Sequence, residues 1–161
     1  MKRLNKIIFL SVLVAMGLGL SVLESAIPLP IVIPGAKLGL SNIVVLVTLV
    51  VFGFKEGLTV SILKSIVLML VTGSVSSFIY SLSGAILSCI IMYMAYRYLS
   101  NVFSLIGVSI LGALSHNTAQ ITVASLMMKN FRIFTYLPFL MLAGLFTGYF
   151  VGLGSILITN N

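Results

Sequence analysis

Aspartate and tryptophan are missing from this chain of 161 residues, and cysteine and histidine occur once each. Glu24 and Glu56 are the only carboxylates. With no CxxC, no paired carboxylates and a single histidine, His116, the chain has no donor set for an all-protein metal site. It also has no acid, base and nucleophile set for hydrolysis. No cofactor and no enzymatic activity of its own are expected. Cys89 lies in an apolar run and has no partner for an intramolecular disulfide. The lack of tryptophan removes the strongest stacking platform for a planar ligand. Charge is scarce too, at 7% of residues, whereas a soluble domain carries roughly 25%. A water-exposed surface cannot be assembled from this composition.

What is present instead is apolar. Hydrophobic residues make up 60% and the mean hydropathy is +1.28, which defines an all-α integral membrane protein. Nine lysines and arginines against two acids give a net charge of +7. No basic cluster is interleaved with polar surface, so no nucleic-acid partner is expected. In a membrane protein such an excess marks cytoplasmic loops. The opening "MKRLNK" has the look of a signal-peptide n-region, but the apolar run continues without a cleavage site and reads as a retained first helix.

A spanning helix needs about 20 apolar residues. Six are expected in a single membrane domain covering 1–161, at about 7–26, 40–54, 58–71, 75–98, 103–128 and 134–158. The second and third are short and are separated by a charged turn, "GFKEG", at 53–57. No inverted or tandem repeat is evident. With the N-terminus inside, Lys2, Arg3, Lys6, Lys55 and Arg97 face the cytoplasm, and Lys37, Lys129 and Arg132 face outward. That bias predicts a multi-pass protein of the plasma membrane with both termini cytoplasmic.

Chemistry concentrates in three places. The stretch "IPLPIVIPGAKLGLSNIVVL", residues 27–46, sets Pro28, Pro30, Pro34, Gly35 and Gly39 around Lys37, then Ser41 and Asn42. Prolines withhold backbone donors and resist helix, so this loop reads as a lid over a ligand that Lys37 touches. Lys64, in "VSILKSIVLML", costs about 2.5–3.5 kcal/mol on insertion scales. It either snorkels to the cytoplasmic interface or lines a substrate site. Glu24 is either a helix-end charge or a partner for Lys37 or the ligand. The fifth helix carries "ALSHNTAQITVAS", in which His116, Asn117 and Gln120 share one side at spacings of three and four. These residues serve either as interhelical glue or as hydrogen-bonding contacts to a polar head group. Ser11, Ala15 and Gly19 form a small-residue stripe on the first helix, with Gly17 and Ser21 on an adjoining row. Such a stripe packs against another helix, internal or external. The glycine series "GLFTGYFVGLG" is expected to be close packing of the sixth helix.

Together these features resemble the substrate-binding S-components of energy-coupling-factor (ECF) vitamin transporters. More closely, "PGAKLGLSNIVVL", "SSFIYSLSGAILS" and "GALSHNTAQ" are similar to the Gx transporter family, also labelled heptaprenyl diphosphate synthase component I. The resemblance implies an ECF S-component-like bundle that takes up a small metabolite. Lys37 and Asn42 would lie in the loop motif, and His116, Asn117 and Gln120 in the fifth-helix motif. The first-helix stripe would meet a transmembrane coupling subunit driven by cytoplasmic ATPases. Here Ala15 is followed by Gly19 where the family of S-components uses two alanines. No Walker A sequence is present, so ATP hydrolysis falls to partners. A prenyl diphosphate synthase holds magnesium on clustered aspartates, and with no aspartate this chain cannot be a synthase alone.

The expected function is therefore a substrate-binding membrane component for a small anionic or amphiphilic metabolite such as a vitamin, a flavin or an isoprenoid-related compound. Lys37, Asn42, Lys64, His116, Asn117 and Gln120 would contact it. The alternative is a non-transporting membrane accessory subunit of polyprenyl diphosphate or quinone synthesis.

Overall fold

The computed structural model describes residues 3–26 and 37–159. The proline-rich lid expected at Pro28, Pro30, Pro34 and Gly35, like Lys2, lies outside the described residues. Six α-helices account for nearly all of the rest: α1 Arg3–Ser25, α2 Asn42–Phe52, α3 Phe54–Thr72, α4 Val75–Tyr98, α5 Leu105–Met127 and α6 Leu137–Thr159. A 3-10 segment, Phe131–Tyr136, leads into α6. Among the described residues, three segments are long and apolar enough to cross a membrane: Leu4–Glu24, Val75–Tyr98 and Phe131–Thr159. α3 and α5 have comparable lengths of 19 and 23 residues, but α3 carries Lys55, Glu56 and Lys64, and α5 the His116–Gln120 cluster. α2, with 11 residues, extends only about 16 Å against a hydrocarbon core of about 30 Å.

The breaks between helices have local causes. The charged turn expected over 53–57 shrinks to Gly53, whose φ of 98° suits only glycine without strain. Helix resumes at Phe54, and Glu56 falls in its first turn, where the helix dipole favours an acid. Gly73 ends α3 in the left-handed region, and the Ser74 hydroxyl caps α4 by accepting from the Ser77 amide at 3.2 Å. The sixth helix begins at Leu137 and not at 134, because Phe131–Tyr136 is wound as 3-10 helix. Pro138 then falls in the first turn of α6, where a missing amide costs nothing.

α5 lies between α4 and α6 and also touches α2. Hydrocarbon tails are as apolar as leucine, so close contact and hydrogen bonding hold such helices together more than apolar burial does. The glycine series of α6 provides that contact. A Cβ on Gly148 or Gly152 would come within 2.7 or 2.6 Å of the Ile110 or Ile106 Cα on α5. Val45, Leu46, Leu49, Cys89, Met92 and Val108 form one buried cluster joining α2, α4 and α5. α1 is peripheral and packs only on α2 and α3 among the described elements. At the end of the bundle near Gly53, Lys6 pairs with Glu56 and sits 5.8 Å from the Phe52 ring centroid, tying α1 to the α2–α3 turn.

Candidate functional site

At the opposite end of the bundle, residues 37–41 lead into α2, and three helices pin their backbone. Gln120 of α5 accepts from the Lys37 amide at 3.2 Å through Oε1. Thr147 of α6 donates its hydroxyl to the Leu38 carbonyl at 3.2 Å. Glu24, at the end of α1, accepts from the amides of Gly39 and Leu40 through the same oxygen, Oε1. Gly39 has a φ of 89°, and this left-handed residue turns consecutive amides toward one side. The turn also leaves room for the Asn42 amide, whose nitrogen would be 3.0 Å from a Cβ at Gly39.

Beneath this turn lies Lys64, only 1% exposed. Its stem passes across Gly17 of α1, where a Cβ would sit 3.0 Å from the lysine Cδ. Its ammonium donates to the Ser41 hydroxyl at 2.7 Å. Lys64 therefore reaches toward Ser41 and not toward the Lys55 end, the direction that snorkelling would take. Lys37 is 4% exposed, and among the described residues its ammonium donates over a long 3.5 Å to the Ser21 carbonyl. Burial pushes the Lys37 ammonium below the usual lysine range, and the Glu24 carboxylate pulls it partly back.

The charges are close without being paired. Among the described residues the one ion pair is Lys6–Glu56, so Glu24 meets neither Lys37 nor Lys64 directly. Glu24 is 3% exposed, and its second oxygen, Oε2, has no hydrogen-bond partner. Both polar atoms of the buried Asn42 side chain are likewise unpartnered. A buried polar group without a partner costs about 1–3 kcal/mol, so this end of the bundle holds unused hydrogen-bonding capacity at appreciable cost. Counting Lys37, Lys64 and Glu24 in their charged forms, the cluster carries one excess positive charge.

The α5 side completes the wall. Gln120 Nε2 lies 2.8 Å from His116 Nε2. Because Gln120 Oε1 already accepts from Lys37, its nitrogen donates, which makes His116 Nε2 the acceptor. The imidazole rests on Gly84 of α4, where a Cβ would come within 2.8 Å of the ring. Asn117, expected on the same side, instead donates to the Leu140 carbonyl of α6 at 2.7 Å. Its amide fits over Gly144, where a Cβ would be 2.9 Å away. Lys37, Asn42, Lys64, His116 and Gln120 thus converge, while Asn117 links α5 to α6.

Sequence reading did not single out Gly17 and Gly84 as the surfaces that seat Lys64 and His116. Both sit in small-residue rows whose partners only the fold reveals. Ser41 did carry a signal, as a hydroxyl at the point where the apolar pattern resumes. No group of three His, Cys, Asp or Glu side chains lies together among the described residues.

The small-residue stripe of α1 lies apart from this cluster. Ser11, Ala15 and Gly19 are exposed, and a Cβ on Gly19 would meet nothing within 4 Å. Two apolar grooves flank the helix. One, of about 360 Å³, runs between α1 and α3 along Ile7, Leu10, Ser11, Val14, Val60 and Leu63. The other, of about 290 Å³, lies against α2 and Ile158.

The family described as heptaprenyl diphosphate synthase component I matches residues 13–157. That span includes every residue of the cluster, and the chain belongs to this family. No curated protein matches the chain, and no solved structure does.

Proposed function

We propose that this chain is a non-catalytic membrane component that binds a small anionic or amphiphilic metabolite at the loop end of its bundle. One observation carries the reading: two buried lysines and a glutamate brought together without an ion pair, beside an Asn42 amide with no partner. A purely structural cluster would be expected to satisfy its own members, because a half-satisfied network is worse than an apolar core. A ligand's oxygens would supply the missing acceptors. In this reading Lys37 and Lys64 attract the anion, and Asn42, His116 and Gln120 orient it.

Six spans, both termini cytoplasmic and a plasma-membrane location belong to the same proposal. So does an ECF-like transport assembly, in which the outward-facing Ser11, Ala15 and Gly19 would meet a coupling subunit. The exposure of these residues supports a partner helix there.

A second reading is favoured by the family's description. A first component of heptaprenyl diphosphate synthase implies another, and the chain would then be its membrane-bound accessory subunit. Both readings allow an isoprenoid-related ligand. They part at the partner. Native mass spectrometry of protein gently extracted from its own membranes separates them. The binding reading expects a co-purifying small molecule, lost on Lys37→Ala with the helical circular dichroism unchanged. A protein that carries no small molecule and holds a soluble prenyl synthase subunit would replace it with the accessory reading.

A further inference from the structure

We propose that the Glu24 carboxylate is a built-in surrogate for a phosphate-type ligand, occupying the anion site that the ligand takes over. The proposal rests on the binding reading above and names the chemical class of what binds. Glu24 Oε1 accepts from the consecutive amides of Gly39 and Leu40, at the turn that leads into α2. Consecutive amides turned by a left-handed glycine make an anion-binding concavity, and the start of a helix adds favourable potential. Lys37 and Lys64 flank it, yet neither is within ion-pairing reach of Glu24. The Asn42 side chain, 3% exposed and unpartnered, lies against Gly39 within the same turn.

Charge decides which anion fits. With Glu24 in place the site keeps one excess positive charge; with Glu24 displaced or protonated it has two. A monocarboxylate ligand would only replace Glu24 like for like, against a group tethered to the site at high effective concentration. A phosphoryl or diphosphate group brings the second negative charge and the additional acceptor oxygens that both ammonium groups and Asn42 lack. Displacing Glu24 also releases the end of α1 from the turn, so occupancy of the site is linked to the helix that carries the exposed stripe.

The test uses the full chain in detergent and inorganic diphosphate as probe, with affinity read by isothermal titration calorimetry. Glu24→Gln keeps an oxygen for the two amides and removes the competing charge. It should bind diphosphate at least about tenfold tighter than the wild type. Adding Lys64→Gln to that variant should return the affinity to the wild-type level or below. Equal or weaker binding by Glu24→Gln, in protein whose helical circular dichroism at the titration temperature matches the wild type, overturns the proposal. If the metabolite found by native mass spectrometry is still lost on Lys37→Ala in that case, the binding reading stands and only the surrogate role falls. Nanodiscs of phosphatidylglycerol and of phosphatidylcholine separate the sources of the phosphate. Competition with diphosphate by phosphatidylglycerol alone assigns the site to a lipid head group. No competition by either assigns it to a free phosphorylated metabolite.

Discussion

Replacing Lys64 by methionine should abolish ligand binding without destabilising the protein. Methionine keeps an unbranched chain that fills the path across Gly17. The variant loses the 2.7 Å hydrogen bond from Lys64 to Ser41, and a hydrogen bond to a charged group is worth about 1.5–3 kcal/mol. Against that, it removes an ammonium that is 1% exposed, and each buried ion retains a desolvation penalty of several kcal/mol even after relaxation. The charge balance settles the sign. Removing Lys64 leaves Lys37 and Glu24 as one cation and one anion, so no uncompensated charge is created. Removing Glu24 has the opposite effect, leaving two cations and two amides without their acceptor, at about 1–3 kcal/mol for each unsatisfied amide. Thermal unfolding followed by circular dichroism therefore should show Lys64→Met at or above the wild-type Tm, and Glu24→Ala well below it. Lys64→Met should also partly rescue Glu24→Ala. At this chain length 1 kcal/mol corresponds to about 2–4 °C. A drop of more than about 10 °C for Lys64→Met alone would mean that the lysine is a structural pillar and that the excess charge is no sign of a ligand.

Two further outcomes separate the site from its scaffold. Asn117→Ala frees the Leu140 carbonyl and should cost about 0.6–1.7 kcal/mol while leaving the amount of co-purified ligand unchanged; Gln120→Ala, which unlinks His116 from the Lys37 backbone, should lower it. Native mass spectrometry of both variants beside their unfolding curves reads the contrast, and loss of ligand in Asn117→Ala would return that residue to the site. Gly84→Ala drives a methyl group to within 2.8 Å of the His116 ring, so it should cost about 1–3 kcal/mol through overpacking. An unchanged Tm would mean that the imidazole has room to move and does not fix the wall.

Much of the fold was legible because lipid imposes a simple rule: backbone groups must be satisfied within the segment, so apolar runs become helices. α4 starts and ends at the expected residues, 75 and 98. The short second helix and the close packing of the glycine-rich sixth were also readable. The boundaries that moved did so for local reasons. Gly53 alone breaks the chain where a five-residue charged turn is expected, and a 3-10 segment delays α6.

Of the site, the sequence determined the inventory. A membrane chain with so few charges makes Glu24, Lys37, Lys64 and His116 conspicuous, since each is costly in hydrocarbon unless it has a use. It also determined that the chain has no aspartate with which to hold magnesium, and a single cysteine with no partner for an intramolecular disulfide. Tertiary structure alone decided which of these groups meet. Spacing along a helix placed Asn117 with His116 and Gln120, but the approach of α6 at Gly144 drew its amide to the Leu140 carbonyl. Lys64 was equally able to reach either end of its helix until Gly17 opened a path toward Ser41. Glu24 and the Gly39–Leu40 amides are some fifteen residues apart in sequence, and no periodicity links them. They meet because the end of α1 and the start of α2 return to the same end of the bundle, where a buried carboxylate oxygen finds the nearest free amides.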